Sequence, residues 1–121
     1  KQNSYFNRRR EDGMGNKEIN NLIAEKVMGW NLREMENVSA WVDENDNWTL
    51  KQMWNPSNDI QDAWEVVEKL KCDVKVTKTD LKPKYQVHVF VPGDVKMVFA
   101  ETAPMAICKG ALKAVGIQLQ D

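Results

Sequence analysis

Three features of the sequence predict an α+β fold, an antiparallel sheet packed with helices. Apolar residues recur with helical spacing in three separated segments, residues 16–29, 56–71 and 102–116. Between residues 72 and 100 the period drops to two, the signature of half-buried strands. The connections in that stretch are short and rich in turn formers, Pro92-Gly93 above all, so the strands should form an antiparallel meander. The expected element order is α-β-β-α-β-β-β-α.

The segment 56–71 organises the chain. Ile60, Ala63, Trp64, Val67 and Leu70 form one stripe, and Asp59, Gln61, Asp62, Glu65, Glu68 and Lys69 fill the other side. Ser57, Asn58 and Asp59 are each able to cap its first turn, and Asn58 with Gln61 has capping-box spacing. Upstream, the first helix carries Ile19, Leu22, Ile23, Val27 and Trp30 on one face, with Asn16 as cap and Gly29 as stop. Residues 31–39 show no period and read as a connection. Ala40-Trp41-Val42 and Trp48-Thr49-Leu50 form a hairpin around the turn residues 43–47.

Three strands are expected after the central helix, beginning at Cys72, Tyr85 and Val95. Val74, Val76, Val87, Val89, Met97 and Phe99 should share the face that the central and last helices cover. Lys75, Thr77, Gln86, His88, Phe90, Lys96 and Val98 should share the other, a face too apolar to be plainly solvated. In the last helix Thr102 caps, Pro104 suits the first turn, and Gly116 ends the element. Its small residues, Ala103, Ala106, Gly110, Ala111 and Ala114, allow a close approach to its neighbours.

A chain of 121 residues, 42% hydrophobic, has material for one core and is not disordered throughout. Residues 1–13 are polar and aperiodic, and are expected to lie outside a single domain at 14–121, with Met14 as the natural start. The functional alternative for them is a basic arm, Arg8-Arg9-Arg10, against a phosphate backbone. The 17 basic and 18 acidic residues give a net charge of -1, which supplies no general attraction to nucleic acid or an anionic membrane. No apolar run is long enough to span a bilayer and no signal-peptide pattern is present, so the cytosol is the expected location. Cys72 and Cys108 lack Cys-x-x-Cys spacing and are expected as free thiols.

At this point the residues carry a resemblance. INNLIAEKVMGW at 19–30, WNPSNDIQDAWEVVEKL at 54–70 and ETAPMAICKGALKAVG at 101–116 are similar to the three blocks of the phage ABA sandwich domain family. The resemblance implies a phage or prophage origin and a sheet between helical layers. Residues 16–29 would then cover the mixed sheet face. It brings no catalytic residue with it. The long turn at 43–47 and the N-terminal extension depart from the family's pattern.

The candidate constellations are few. Asp43, Asn45 and Asn47 occupy positions 1, 3 and 5 of a calcium loop, but Trp48 and Trp54 stand where Gly and Glu are diagnostic, so a solvated turn is expected and no metal. His88 is the only histidine, without a nucleophile or carboxylate at telling spacing, and neither enzymatic activity nor a cofactor is expected. His88 and Phe90 remain candidates on the mixed sheet face. The C-terminal α-β-β-β-α order is that of a double-stranded-RNA-binding domain, with Lys82, Lys84 and Lys109 as contacts. A single lysine at the start of the last helix is a poor phosphate clamp, so this reading comes second. Trp41, Trp48 and Trp54 surround a hairpin too small to bury them all, and tryptophan is enriched at binding hot spots. The expected function is therefore that of a non-enzymatic phage accessory protein in the host cytoplasm. Its partner would be a host or phage protein, a component of host defence being one version, or a second copy of the chain in a homodimer.

Overall fold

The computed structural model describes residues 15–119. The expectations for residues 1–13 and Met14 fall outside the described residues. The fold is α+β, with three α-helices and two three-stranded antiparallel sheets among the described residues. Helix α1 (Asn16–Leu22) runs into a single π-helical turn (Ile23–Val27). The first sheet follows, with strands β1 (Asn31–Glu34), β2 (Ser39–Val42) and β3 (Trp48–Leu50) in spatial order β1-β2-β3. A short 3-10 turn (Lys51–Met53) leads to helix α2 (Ile60–Lys69). The second sheet has strands β4 (Asp73–Lys78), β5 (Tyr85–Val91) and β6 (Asp94–Ala100), also in sequence order, and helix α3 (Ala103–Ala114) closes the fold. No helix among the described residues is long and apolar enough to cross a membrane.

The helix starts are set locally. Asp59 caps α2 by accepting from the amides of Gln61 and Asp62, so it is the third of the three candidates that does the work. Thr102 caps α3 by accepting from the Met105 amide. Gly15, not Asn16, precedes the first turn of α1, where the Glu18 carboxylate reaches back to the Gly15 amide. Gly29 and Gly116 take positive φ of 74° and 90° just beyond the ends of the first and last helices, a backbone shape glycine reaches without Cβ strain.

Two apolar clusters lie on opposite sides of the α2–α3 pair. One joins Ala63, Ala106 and Ile107 to Val87, Val89 and Val98 of the second sheet. The other joins Val66, Cys108 and Leu112 to Ile19 and Ile23 of the first helix and to Trp41 and Trp54. Burial pushes the Cys108 thiol up to about 12, with the nearby Asp62 charge adding to it; both cysteines are free.

Four sequence expectations are corrected here. Residues 31–34 form β1, paired with β2 from Asn31↔Val42 to Glu34↔Ser39; all four β1 side chains are exposed, which erases the alternation that reveals a strand. On α2 the buried residues are Ala63 and Val66, flanked by partly buried Val67 and Leu70, while Trp64 is 48% exposed and Ile60 40%. A helix packed on two sides has a wide buried arc, and its centre falls on the small residues rather than on the tryptophan. On β6 the inward residues are Val98 and Ala100, and Met97 and Phe99 face outward. The tight turn pairing Val91 with Asp94 puts odd positions of β5 opposite even positions of β6, as in Val87↔Val98 and His88↔Met97. Finally, the first helix packs against the helices through Ile19, Ile23 and Ala24 and does not cover the outer face of the second sheet.

Candidate binding surface

The outer face of the second sheet is built by strand alternation. The register places Asp73, Lys75 and Thr77 of β4, Gln86, His88 and Phe90 of β5, and Val95, Met97 and Phe99 of β6 on one side. Their opposite-facing neighbours Val87, Val89 and Val98 are buried. Phe90, Val95, Met97 and Phe99 are each between 42% and 46% exposed, a contiguous apolar surface with no element over it among the described residues. His88 stacks on Phe90 with ring centroids 6.2 Å apart. Its Nδ1 is buried and has no hydrogen-bond partner among the described residues. Gln86 Nε2 lies 3.3 Å from the Met97 sulfur. Two sequence candidates, His88 and Phe90, sit here together; Val95, Met97 and Phe99 join them because the Val91↔Asp94 pairing across the Pro92-Gly93 turn sets the parity of β6, which alternation alone does not.

The three hairpin tryptophans do not form one surface. Trp41 is 2% exposed and Trp54 4%, and both belong to the core cluster beside the first helix. Trp54 meets Trp30 edge to face at 4.7 Å. The expected exposed patch thus reduces to Trp48, 44% exposed, with the Arg33 guanidinium 5.4 Å from its ring centre. The physical reason is that Trp41 and Trp54 pack into the cluster built by Ile19 and Ile23 of the first helix with Val66, Cys108 and Leu112, the core that the hairpin could not make alone.

The turn at 43–47 is held by one carboxylate. Asp43 Oδ1 accepts from the amides of Asn45 (2.9 Å) and Asn47 (2.8 Å), and Oδ2 accepts from Asn47 Nδ2 (3.0 Å). The Asn47 backbone bond, first among these, holds the Asp43 carboxyl below its ordinary value. Three of the roughly four acceptor sites of this carboxylate are engaged in closing the turn. Among the described residues no cluster of three His, Cys, Asp or Glu side chains has a metal-binding arrangement.

The lysines of the RNA reading are partly convergent. Lys82 and Lys84 flank Pro83 in the exposed β4–β5 loop, and Pro83 and Lys109 line one cavity of about 420 Å³. Glu101 lines the same cavity. Lys84 Nζ lies 5.8 Å from the Tyr85 ring centre. The exposed side of α2 is acidic. Burial first, then the Asp62 and Asp59 charges, raise the Glu65 carboxyl above its ordinary value.

A solved crystal structure of a phage protein from Bacillus cereus ATCC 14579 is similar to this fold, with a TM-score of 0.66 and 56% identity over 84% of this chain and 92% of that chain. No curated protein matches the chain. The phage ABA sandwich domain matches residues 21–112, which takes in every element from the end of α1 to most of α3. On that match and that identity, the chain belongs to the phage ABA sandwich domain family.

Proposed function

We propose that this phage-family protein is a non-enzymatic binding module that docks another protein on the outer face of β4-β5-β6. The single observation behind this reading is the apolar quartet Phe90, Val95, Met97 and Phe99, exposed on a sheet whose other face carries the buried Val87, Val89, Val98 and Ala100. Burying four such side chains is the main driving force a small interface has. The partner is a protein of the host cytosol or of the phage, and inhibition of a host defence component is the version with an obvious benefit to a phage.

The test compares the wild-type chain with a Phe90→Asp, Phe99→Asp double variant in affinity capture from phage-infected host cells. Both positions are solvent-facing, so the variant should keep its circular dichroism spectrum. The expected result is a defined protein recovered with the wild type and absent with the variant. Identical captures from the two would overturn the reading. Light scattering on the same proteins detects the competing occupant, a second copy of this chain.

The second reading, double-stranded RNA binding, is favoured by the approach of the Lys82–Lys84 loop to Lys109. The acidic α2 face and Glu101 oppose it electrostatically. A mobility-shift assay at low salt decides: a shift abolished by Lys82→Ala with Lys84→Ala supports it, and no shift removes it.

A further inference from the structure

A second site lies away from the sheet face. The first turn of α1, the β1–β2 turn and the segment from β3 to α2 enclose a cleft of about 740 Å³. That is within the roughly 300–1,000 Å³ range of small-molecule sites. Its lining is unusual in chemistry: Asn16, Asn20, Asn21, Asn37, Asn55 and Asn58 all contribute to it.

The inner layer of this cleft is fixed. Asn20 is buried, its Nδ2 donates to Asn55 Oδ1 (2.9 Å), and its Oδ1 accepts from the Ser57 amide (3.0 Å). Asn58 Nδ2 reaches the same Asn55 oxygen at 3.4 Å, and the Asn55 amide donates to Asp62 Oδ2 at 2.9 Å. The outer amides, of Asn16, Asn21 and Asn37, make no side-chain hydrogen bond among the described residues. Trp54, buried and lining the cleft, has an Nε1–H without a partner among the described residues. Lys17 and Lys51 line it as well, neither in an ion pair among the described residues, against one carboxylate, Glu36.

We propose that this cleft binds an adenine nucleotide. A side-chain amide carries a donor and an acceptor at the spacing of the adenine N6/N7 edge, which is why asparagine pairs with it bidentately. Free amides also suit ribose hydroxyls. The Trp54 ring forms part of the cleft wall, where its indole signal reports on an occupant. The two lysines match a phosphate as point charges. A net excess of one positive charge fits a single small anion and is too little for a nucleic-acid backbone.

The experiment is an NMR titration of the ¹⁵N-labelled full chain with AMP, with adenosine and inorganic phosphate as separate probes. The Trp54 indole signal is identified as the one lost in Trp54→Phe. AMP is expected to shift that signal and the Asn21 and Asn37 side-chain amides saturably. Lys17→Ala and Asn37→Ala change exposed positions and should leave the remaining spectrum intact. Each should weaken AMP by roughly tenfold, the loss expected for one hydrogen bond to a charged or base-edge group. AMP that leaves the Trp54 and asparagine signals unmoved overturns the proposal. So does inorganic phosphate that binds as tightly as AMP, since the amides would then read nothing.

Discussion

Asp43 shows how much one side chain can decide. Its carboxylate accepts three hydrogen bonds inside a five-residue turn, and with Asp46 at φ 65° it fixes the hairpin that carries Trp41 into the core. These bonds favour the charged form, so the folded pKa lies below the unfolded one. The contribution is therefore complete above the unfolded carboxylate value and disappears as pH falls through the folded value. Asp43→Ala should lower the melting temperature at pH 7, and the gap to wild type should close on acidification below the normal carboxylate range. A gap that stays constant with pH would show that the carboxylate's charge is irrelevant to the turn. At this scale the sequence was informative but not unique. It offered Ser57, Asn58 and Asp59 as caps, and only the direction in which the chain enters α2 selects Asp59. It also offered three hairpin tryptophans without saying which side of the ribbon would be covered. The cleft itself is not legible in the sequence, because six asparagines spread from 16 to 58 form no pattern until the fold brings them together.

Among the elements, α3 has the least freedom. A Cβ at Gly110 would lie 2.9 Å from Val87 Cγ1 and 3.1 Å from Val89 Cγ2, and both valines are fully buried. The helix sits on the sheet at a distance only glycine permits. Gly110→Ala gains about 1 kcal/mol of helix propensity but overpacks at a cost of roughly 1–3 kcal/mol. Urea denaturation should show a net loss. Adding Val87→Ala should recover part of the overpacking loss, a coupling between neighbours that a double-mutant cycle detects. Additive effects would place the two residues out of contact. That α3 would carry small residues for close approach was legible from its composition. The facing of β6 was not, because alternation gives two sets of residues and the turn length alone assigns them to faces. The exposed Trp64 has a related cause: a stripe read as one-sided cannot describe a helix packed between two clusters.

For the molecule as a whole, the position of the first helix sets the functional surface. Its apolar stripe was evident, but a stripe does not say which partner it meets. It meets α2, α3 and the two buried tryptophans, and so among the described residues nothing covers the outer face of the second sheet. The result is a molecule with two cores that share the α2–α3 pair. Ile107 belongs to the cluster under the second sheet and Leu112 to the cluster beside the first helix, one helical turn and a half apart on α3. Neither core can lose its packing without disturbing the helix that the other needs, and a chain of this size normally unfolds as one unit. Ile107→Ala and Leu112→Ala should each destabilise by roughly 2–5 kcal/mol, as fully buried large-to-small changes do. The two buried tryptophans report only on the first cluster, whereas amide exchange at Val87 and Val89 reports only on the second. In either variant, denaturation followed by fluorescence and by exchange of those β5 amides should give the same midpoint. If Leu112→Ala shifts the fluorescence transition and leaves the β5 amides at the wild-type midpoint, the cores are separate folding units and α3 does not couple them.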